Sequence, residues 1–190
     1  FYVASFSNLV VVYKGLCRPS DLPLFFTDLA DLRLSSAVCL FHQRFSTNTA
    51  PKWPLAQPFR YSAHNGEINT LHGNVNQMRA REVSFASPDY GPDIKKLLPI
   101  IIPEQSDSAC LDNALELFAR TGRSLAHSMM MMVPQAWGEK YHLGHDLKGF
   151  FEYHAGFMEP WDGPAALAFS DGRAVGALLD RNGLRPARYT

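Results

Sequence analysis

The sequence has no long hydrophobic run and no excess of one charge. Among its 190 residues no uninterrupted apolar stretch approaches the length of about 18 residues that a membrane-spanning helix needs. Its 18 Lys and Arg balance 18 Asp and Glu, so the clustered positive charge that binds nucleic acid is absent. We expect neither a membrane nor a nucleic acid as partner. With 46% hydrophobic and 19% charged residues, the composition predicts one globular domain over residues 1–190.

Cysteines and cofactor motifs are also scarce. Cys17, Cys39 and Cys110 follow no disulfide or metal-ligand spacing, which favours a reducing compartment. Cys39 lies in an apolar run, and we predict an inert core position for it. No Gly-x-Gly-x-x-Gly, P-loop or cysteine cluster occurs, and the seven histidines have no partner ligands at zinc spacing. We therefore predict no cofactor and no metal in this segment.

The hydrophobic pattern predicts helices in the middle of the chain and strands towards both ends. The strands are expected at residues 1–5, 9–13, 36–42 and 59–64, and a final hairpin at 165–169 and 174–179. The helices are expected at 21–34, 69–82, 108–120 (capped by Ser108), 124–132 (capped by Ser124) and within 139–154. This order indicates an α+β fold with an antiparallel sheet.

Arg44 and Thr47 are candidates for binding an anion. Arg44 directly follows the apolar run at 36–42, where an unpaired guanidinium is unfavourable. Its planar fork fits a carboxylate, and Thr47 adds a hydroxyl donor three residues on. The alternative is a structural Arg paired with an internal Asp or Glu.

Two further candidates are Asn65-Gly66 and Asp107. An Asn amide beside the unhindered N–H of a glycine fits a developing oxyanion, although Asn-Gly is also a common turn dipeptide. Asp107 lies at the start of a predicted helix, where it either caps the helix or receives a cation such as an amino group.

Taken together, eight sequence segments resemble the glutamine amidotransferase domain of glutamate synthases. Shared with class II amidotransferases in general are Arg-x-Ser-Thr, His-Asn-Gly and Ser-Asp-Ser. More specific are Pro-Leu-Ala-Gln-Pro and Glu-Pro-Trp-Asp-Gly-Pro-Ala, and the match runs in order from residue 1 to residue 190. Gln77 departs from the pattern, since relatives usually carry Trp there.

The resemblance implies an N-terminal-nucleophile hydrolase fold, which is a four-layer αββα sandwich, here incomplete at both ends. It assigns Arg44 and Thr47 to the α-carboxylate of L-glutamine, Asp107 to its α-amino group, and Asn65 and Gly66 to the oxyanion hole. The family nucleophile is an N-terminal cysteine whose own α-amino group acts as base. No cysteine of this sequence occupies that position, because it begins at Phe1. We therefore expect a piece of a longer enzyme that is inactive alone.

For the whole enzyme, the resemblance implies ammonia transfer to 2-oxoglutarate, with FMN and an iron–sulfur cluster in other domains. The implied partners are the remaining synthase domains and either a small NADPH-oxidising subunit or ferredoxin, in the cytoplasm or a plastid. The alternative is a stand-alone, non-catalytic relative that binds glutamine or a partner protein.

Overall fold

The computed structural model describes residues 2–43 and 49–190. In these residues the helices are α1 (Leu22–Phe25), α2 (Leu71–Glu82), α3 (Asp107–Arg120), α4 (Leu125–Met132) and α5 (His145–Ala155). The strands are β1 (Ser62–Gly66), β2 (Ala165–Ser170) and β3 (Val175–Leu179). Short 3-10 helices occur at Pro19–Asp21, Thr27–Ala30, Trp53–Leu55 and Gly91–Leu97.

The three strands form one antiparallel sheet in the order β1-β2-β3. β2 and β3 are the predicted C-terminal hairpin, which is confirmed. Its turn is held by Asp171, whose carboxylate accepts hydrogen bonds from the backbone N–H groups of Arg173 (2.9 Å) and Ala174 (2.8 Å). β1 comes from a distant part of the chain and pairs with β2, so that Ser62 lies opposite Phe169.

The main core lies between the helices and one face of this sheet. Alternate side chains of β2 are buried there, because successive residues of a strand point to opposite faces. The largest fully buried side chains in this region come from α2, α3, α4 and the segment before β2: Met78, Leu111, Leu115, Met129, Met132 and Trp161. The helices and the small antiparallel sheet confirm the α+β class.

The central helices form where their apolar periodicity predicts them. α3 and α4 pack on each other, and Ser124 caps α4 by accepting a hydrogen bond from the N–H of His127 at 3.2 Å. The predicted cap of α3 is wrong by two residues. Ser106, not Ser108, accepts from the N–H of Ala109 at 3.2 Å, and Ser108 lies buried inside the helix.

The predictions for the first 43 residues are largely wrong. No strand forms in the described residues 2–13, where the N–H groups of Leu9 and Val12 instead donate to the hydroxyls of Ser7 and Ser5. Residues 36–42 are also not a strand, and Phe41 is 80% exposed. Residues rich in β propensity form a strand only when another strand pairs with them. The helix predicted at 21–34 is broken into α1 and two flanking 3-10 turns.

Candidate functional site

β1 carries the Asn65-Gly66 dipeptide as its last two residues. The dipeptide is therefore part of the ladder, paired with Ala166 and Ala165, and is not a turn between two strands. This corrects the predicted strand at 59–64, which begins three residues later and extends through Gly66. Asn65 is exposed, and its side chain makes no hydrogen bond to any residue that the structure describes. Its amide is accordingly open to a ligand.

Gly66 has a structural reason to be glycine. Its φ is +147°, a region that L side chains rarely adopt, and a Cβ at this position would lie 1.7 Å from the carbonyl oxygen of Pro164. That same oxygen accepts a hydrogen bond from the N–H of Glu67 at 2.9 Å. The backbone at the end of β1 is thus held close to the start of β2, which leaves no room for a side chain.

Asp107 lies at the same end of β1. It is the first residue of α3, and its Oδ2 accepts a hydrogen bond from the N–H of Ile68 at 2.8 Å. Ile68 is two residues beyond Gly66, so this bond ties the carboxylate to the segment that follows the dipeptide. The capping role considered for Asp107 belongs to Ser106. The carboxylate therefore remains available for another role.

The predicted anion-binding residues, Arg44 and Thr47, lie outside the described residues. The structure brings together the other three predicted site residues: Asn65, Gly66 and Asp107 gather at the junction of β1 and α3.

Sequence reasoning assigned no role to His64, which precedes Asn65. Its side chain is 3% exposed, and its Nε2 has no hydrogen-bond partner. Burial lowers the pKa of the imidazole; the Asp107 carboxylate opposes this shift, while His42 and Arg185 add to it. The ring is therefore neutral at pH 7 and within electrostatic reach of Asp107.

Gln57 was missed as well. Its amide pairs with the backbone of His64: the side-chain Nε2 donates to the carbonyl oxygen at 3.0 Å, and the His64 N–H donates to Oε1 at 2.6 Å. These two bonds imitate those of a neighbouring strand. The residue directly before Asn65 is held in this way from a position seven residues upstream. Only the segment Pro-Leu-Ala-Gln-Pro itself pointed to this residue in the sequence.

The cysteines divide into one buried and two exposed thiols. Cys110, on the first turn of α3, is 4% exposed, and burial, together with the charge of Asp107, raises the pKa of its thiol to about 11. A thiol in that environment is a poor nucleophile. Cys17 and Cys39 are exposed, so the core position predicted for Cys39 is wrong, because the run that contains it is not a buried strand.

In residues 2–43 and 49–190, no three His, Cys, Asp or Glu side chains are grouped so that they could hold a metal ion. No helix in the same part of the chain is long and apolar enough to cross a membrane. The arrangement that remains is an exposed amide, a backbone segment restricted to glycine and a carboxylate. Such a set can bind a small polar molecule by its amino group and stabilise negative charge on an oxygen.

Comparison with known proteins gives a match over the whole chain. The family model described as class-II glutamine amidotransferases matches residues 1–190. The NADPH glutamate synthase large chain of Bacillus subtilis is 54% identical over 189 residues, which cover 100% of this chain and 12% of that protein. The chloroplastic ferredoxin-dependent glutamate synthase of Spinacia oleracea is 49% identical, covering 99% of this chain and 12% of the relative. The NADH glutamate synthase of Saccharomyces cerevisiae is 51% identical, covering 100% and 9%. The chain thus spans about an eighth or less of the length of these relatives.

Proposed function

We propose, since the chain belongs to the class-II glutamine amidotransferase family, that it forms the glutamine-binding part of a domain that hydrolyses L-glutamine to glutamate and ammonia. The observation that carries this proposal is the hydrogen bond between Asp107 and the N–H of Ile68, 2.8 Å long. It brings a carboxylate to the end of the strand that presents Asn65 and Gly66. Glutamine needs both features, because it carries an α-ammonium group at one end and a reacting carboxamide at the other.

Each residue has a role that fits its chemistry. Asp107 binds the α-ammonium group of glutamine by charge and hydrogen bonding. The Asn65 amide and the N–H of Gly66 stabilise the oxyanion that forms when the carboxamide is attacked. Arg44 and Thr47 bind the α-carboxylate, for which a guanidinium provides two parallel hydrogen bonds.

The attacking thiol comes, in this proposal, from a cysteine outside the 190 residues. The family motif places it at the N-terminus of the mature protein, and neither Cys17 nor Cys39 matches that position. Cys110 is excluded on physical grounds, because its buried thiol has a pKa of about 11 and is almost wholly protonated at neutral pH. The chain alone therefore binds glutamine without cleaving it.

The ammonia is used, we further propose, to make glutamate from 2-oxoglutarate in a glutamate synthase. In this proposal, FMN and an iron–sulfur cluster belong to other domains of that enzyme. The names of the relatives include NADPH, NADH and ferredoxin as electron donors. The partners would be the remaining synthase domains together with an NADPH-oxidising subunit or ferredoxin. The compartment would be the cytoplasm or, as for the chloroplastic relative from spinach, a plastid.

The four-layer αββα arrangement is supported by the two faces of the sheet. His64 and its neighbour Leu167 point to the helices, whereas Asn65 and its neighbour Ala166 point to the other side. That second face carries four alanines, namely Ala63, Ala166, Ala168 and Ala177, together with Val175 and Leu179 of β3. Small side chains suit the packing of a second sheet, which would place Asn65 at the edge of the interface between the two sheets.

The proposal is tested by ammonia release from L-glutamine in the full-length protein. Asn65→Ala should lower kcat by about a hundredfold to a thousandfold and change KM little, since the amide acts on charge that develops in the transition state. Asn76→Ala is the matched control, because Asn76 is an exposed residue of α2. A rise in KM with an intact kcat would make Asn65 a ground-state ligand and would refute the oxyanion assignment.

A further inference from the structure

Asp112 of α3 is a buried carboxylate with an unusual set of hydrogen-bond donors. It is 3% exposed, and it accepts the backbone N–H groups of three successive residues: Arg60 (3.1 Å), Tyr61 (3.2 Å) and Ser62 (2.9 Å). The hydroxyl of Ser62 donates a fourth bond at 2.7 Å. Hydrogen bonds to an ionised acceptor are stronger than those between neutral groups. Asp112 therefore fixes the backbone at the entrance to β1.

The other end of the same strand is held by the same helix. Asp107, five residues before Asp112, accepts the N–H of Ile68 just after β1. The segment Ser62–Gly66 is thus attached to α3 at both ends, with the Asn65-Gly66 dipeptide between the two attachments. The helix α3 therefore carries the carboxylate that is proposed to bind the ammonium group. It also fixes where β1, the strand with the proposed oxyanion hole, begins.

Asp112 is ionised at the pH at which it would work. Its pKa is raised to about 6, chiefly by burial and to a smaller extent by Glu116, although the hydrogen bonds from Ser62, Tyr61 and Arg60 lower it. Lys14 of the N-terminal segment is a cation within electrostatic reach of Asp112. Its ammonium group donates hydrogen bonds to the carbonyl oxygens of Pro54 (3.0 Å) and Ala56 (2.9 Å). At neutral pH the carboxylate can accept from all four donors at once.

We infer that Asp112 is a positioning residue for glutamine hydrolysis: by holding residues 60–62 on α3, it sets the distance between the Asn65-Gly66 oxyanion hole and the Asp107 carboxylate. Asp112 does not touch the substrate. This inference rests on the proposed function, because it requires that Asn65 and Gly66 stabilise the transition state.

The consequence is a specific kinetic defect. In Asp112→Asn the amide keeps one acceptor oxygen, but its NH2 group cannot accept, so the variant cannot keep both the bond from the N–H of Arg60 to Oδ2 and the bonds from Tyr61 and Ser62 to Oδ1. The strand should shift while Asp107, on the intact helix, still binds the ammonium group. A displacement of about 1 Å in a catalytic arrangement can cost up to a hundredfold in rate. We expect kcat to fall by roughly tenfold to a hundredfold and KM to stay within about twofold.

Glu116→Gln is the matched control, and Ser62→Ala is a second variant. Glu116 lies one turn further along α3 and pairs with the Arg60 side chain at 2.8 Å, without bonding the backbone of β1. The substitution Glu116→Gln should therefore leave kcat and KM unchanged. Ser62→Ala removes the hydroxyl donor alone and should lower kcat by about threefold to tenfold, with KM unchanged, since it takes away one of the four hydrogen bonds that Asp112 accepts.

The experiment is steady-state kinetics of ammonia release by the full-length protein and these variants, with Asn65→Ala alongside. If Asn65→Ala loses kcat but Asp112→Asn behaves like Glu116→Gln, the positioning role is wrong and the proposed function stands. A rise in KM with intact kcat in Asp112→Asn also overturns it. If Asn65→Ala retains kcat, the oxyanion assignment is wrong, and the inference that depends on it is wrong as well. Should Asp112→Asn not fold, Ser62→Ala decides, and a kcat equal to that of wild type refutes the inference.

Discussion

Replacing Gly66 by alanine should destabilise the protein strongly. The added Cβ would lie 1.7 Å from the carbonyl oxygen of Pro164 and 2.7 Å from its carbonyl carbon. Both atoms are backbone, so no flexible side chain can move aside, and the end of β1 must separate from the start of β2. The φ of +147° adds strain for any L side chain. Overpacking typically costs about 1–3 kcal/mol and such backbone strain about as much again, which together predict a loss of about 2–6 kcal/mol.

Gly73→Ala is the control for this prediction. Gly73 lies in α2, and a Cβ there would meet nothing within 4 Å. The same chemical change should therefore stabilise the protein by about 0.5–1 kcal/mol, because alanine favours helix over the unfolded chain. Urea denaturation followed by circular dichroism gives both differences. If Gly66→Ala unfolds within about 0.5 kcal/mol of wild type, as an ordinary surface substitution would, the close approach of β1 to Pro164 is not a constraint.

Two further predictions concern Arg44 and His154. Arg44→Lys should raise the KM for glutamine by about thirtyfold or more, because an ammonium cannot form the two parallel hydrogen bonds of a guanidinium. A glutamine analogue without the α-carboxylate should bind wild type and the variant almost equally. If the analogue binds the variant much more weakly, Arg44 is a structural residue. Burial lowers the pKa of His154, with His127 and Arg123 adding to this shift, so its neutral form is stabilised by folding. That stability is complete above the unfolded pKa of about 6.5 and is lost as the pH falls from there through the folded pKa. In His154→Phe the free energy of unfolding should fall less between pH 8 and pH 5 than it does in wild type. His145 is fully exposed, so in His145→Gln it should fall as in wild type. If His154→Phe and wild type lose the same free energy of unfolding over this range, the assignment is wrong.

The elements that could be predicted are those specified by local sequence. α4 has its cap, Ser124, and its apolar side chains within one stretch of eight residues, and the β2–β3 hairpin carries its turn residues between two apolar runs. The predicted strands at 1–5, 9–13 and 36–42 depended on partners elsewhere in the chain, and apolar composition cannot specify a partner. The same limit explains why β1 was placed three residues too early.

The candidate site divides in the same way. Asn65, Gly66 and Asp107 were recognisable because their residue types fit the chemistry and because the surrounding segments resemble a family. Asp112 was not, since it acts through backbone groups 50 residues or more upstream that no spacing rule connects to it. Gly66 illustrates the difference further. Its place in the motif was visible, but the reason for glycine lies in the carbonyl group of Pro164, nearly one hundred residues away in sequence.

The most direct test of the central claim is a comparison of two ligands on the Asp107→Asn variant of the full-length protein. If Asp107 receives the α-ammonium group of glutamine, only a ligand with that group should sense the change. L-glutamine should bind the variant about thirtyfold or more weaker than wild type, because the ammonium loses its countercharge. The analogue without the α-amino group should bind both proteins nearly equally in a calorimetric titration. If both ligands weaken to the same extent, Asp107 only holds Ile68 in place, and the account of the glutamine site is wrong.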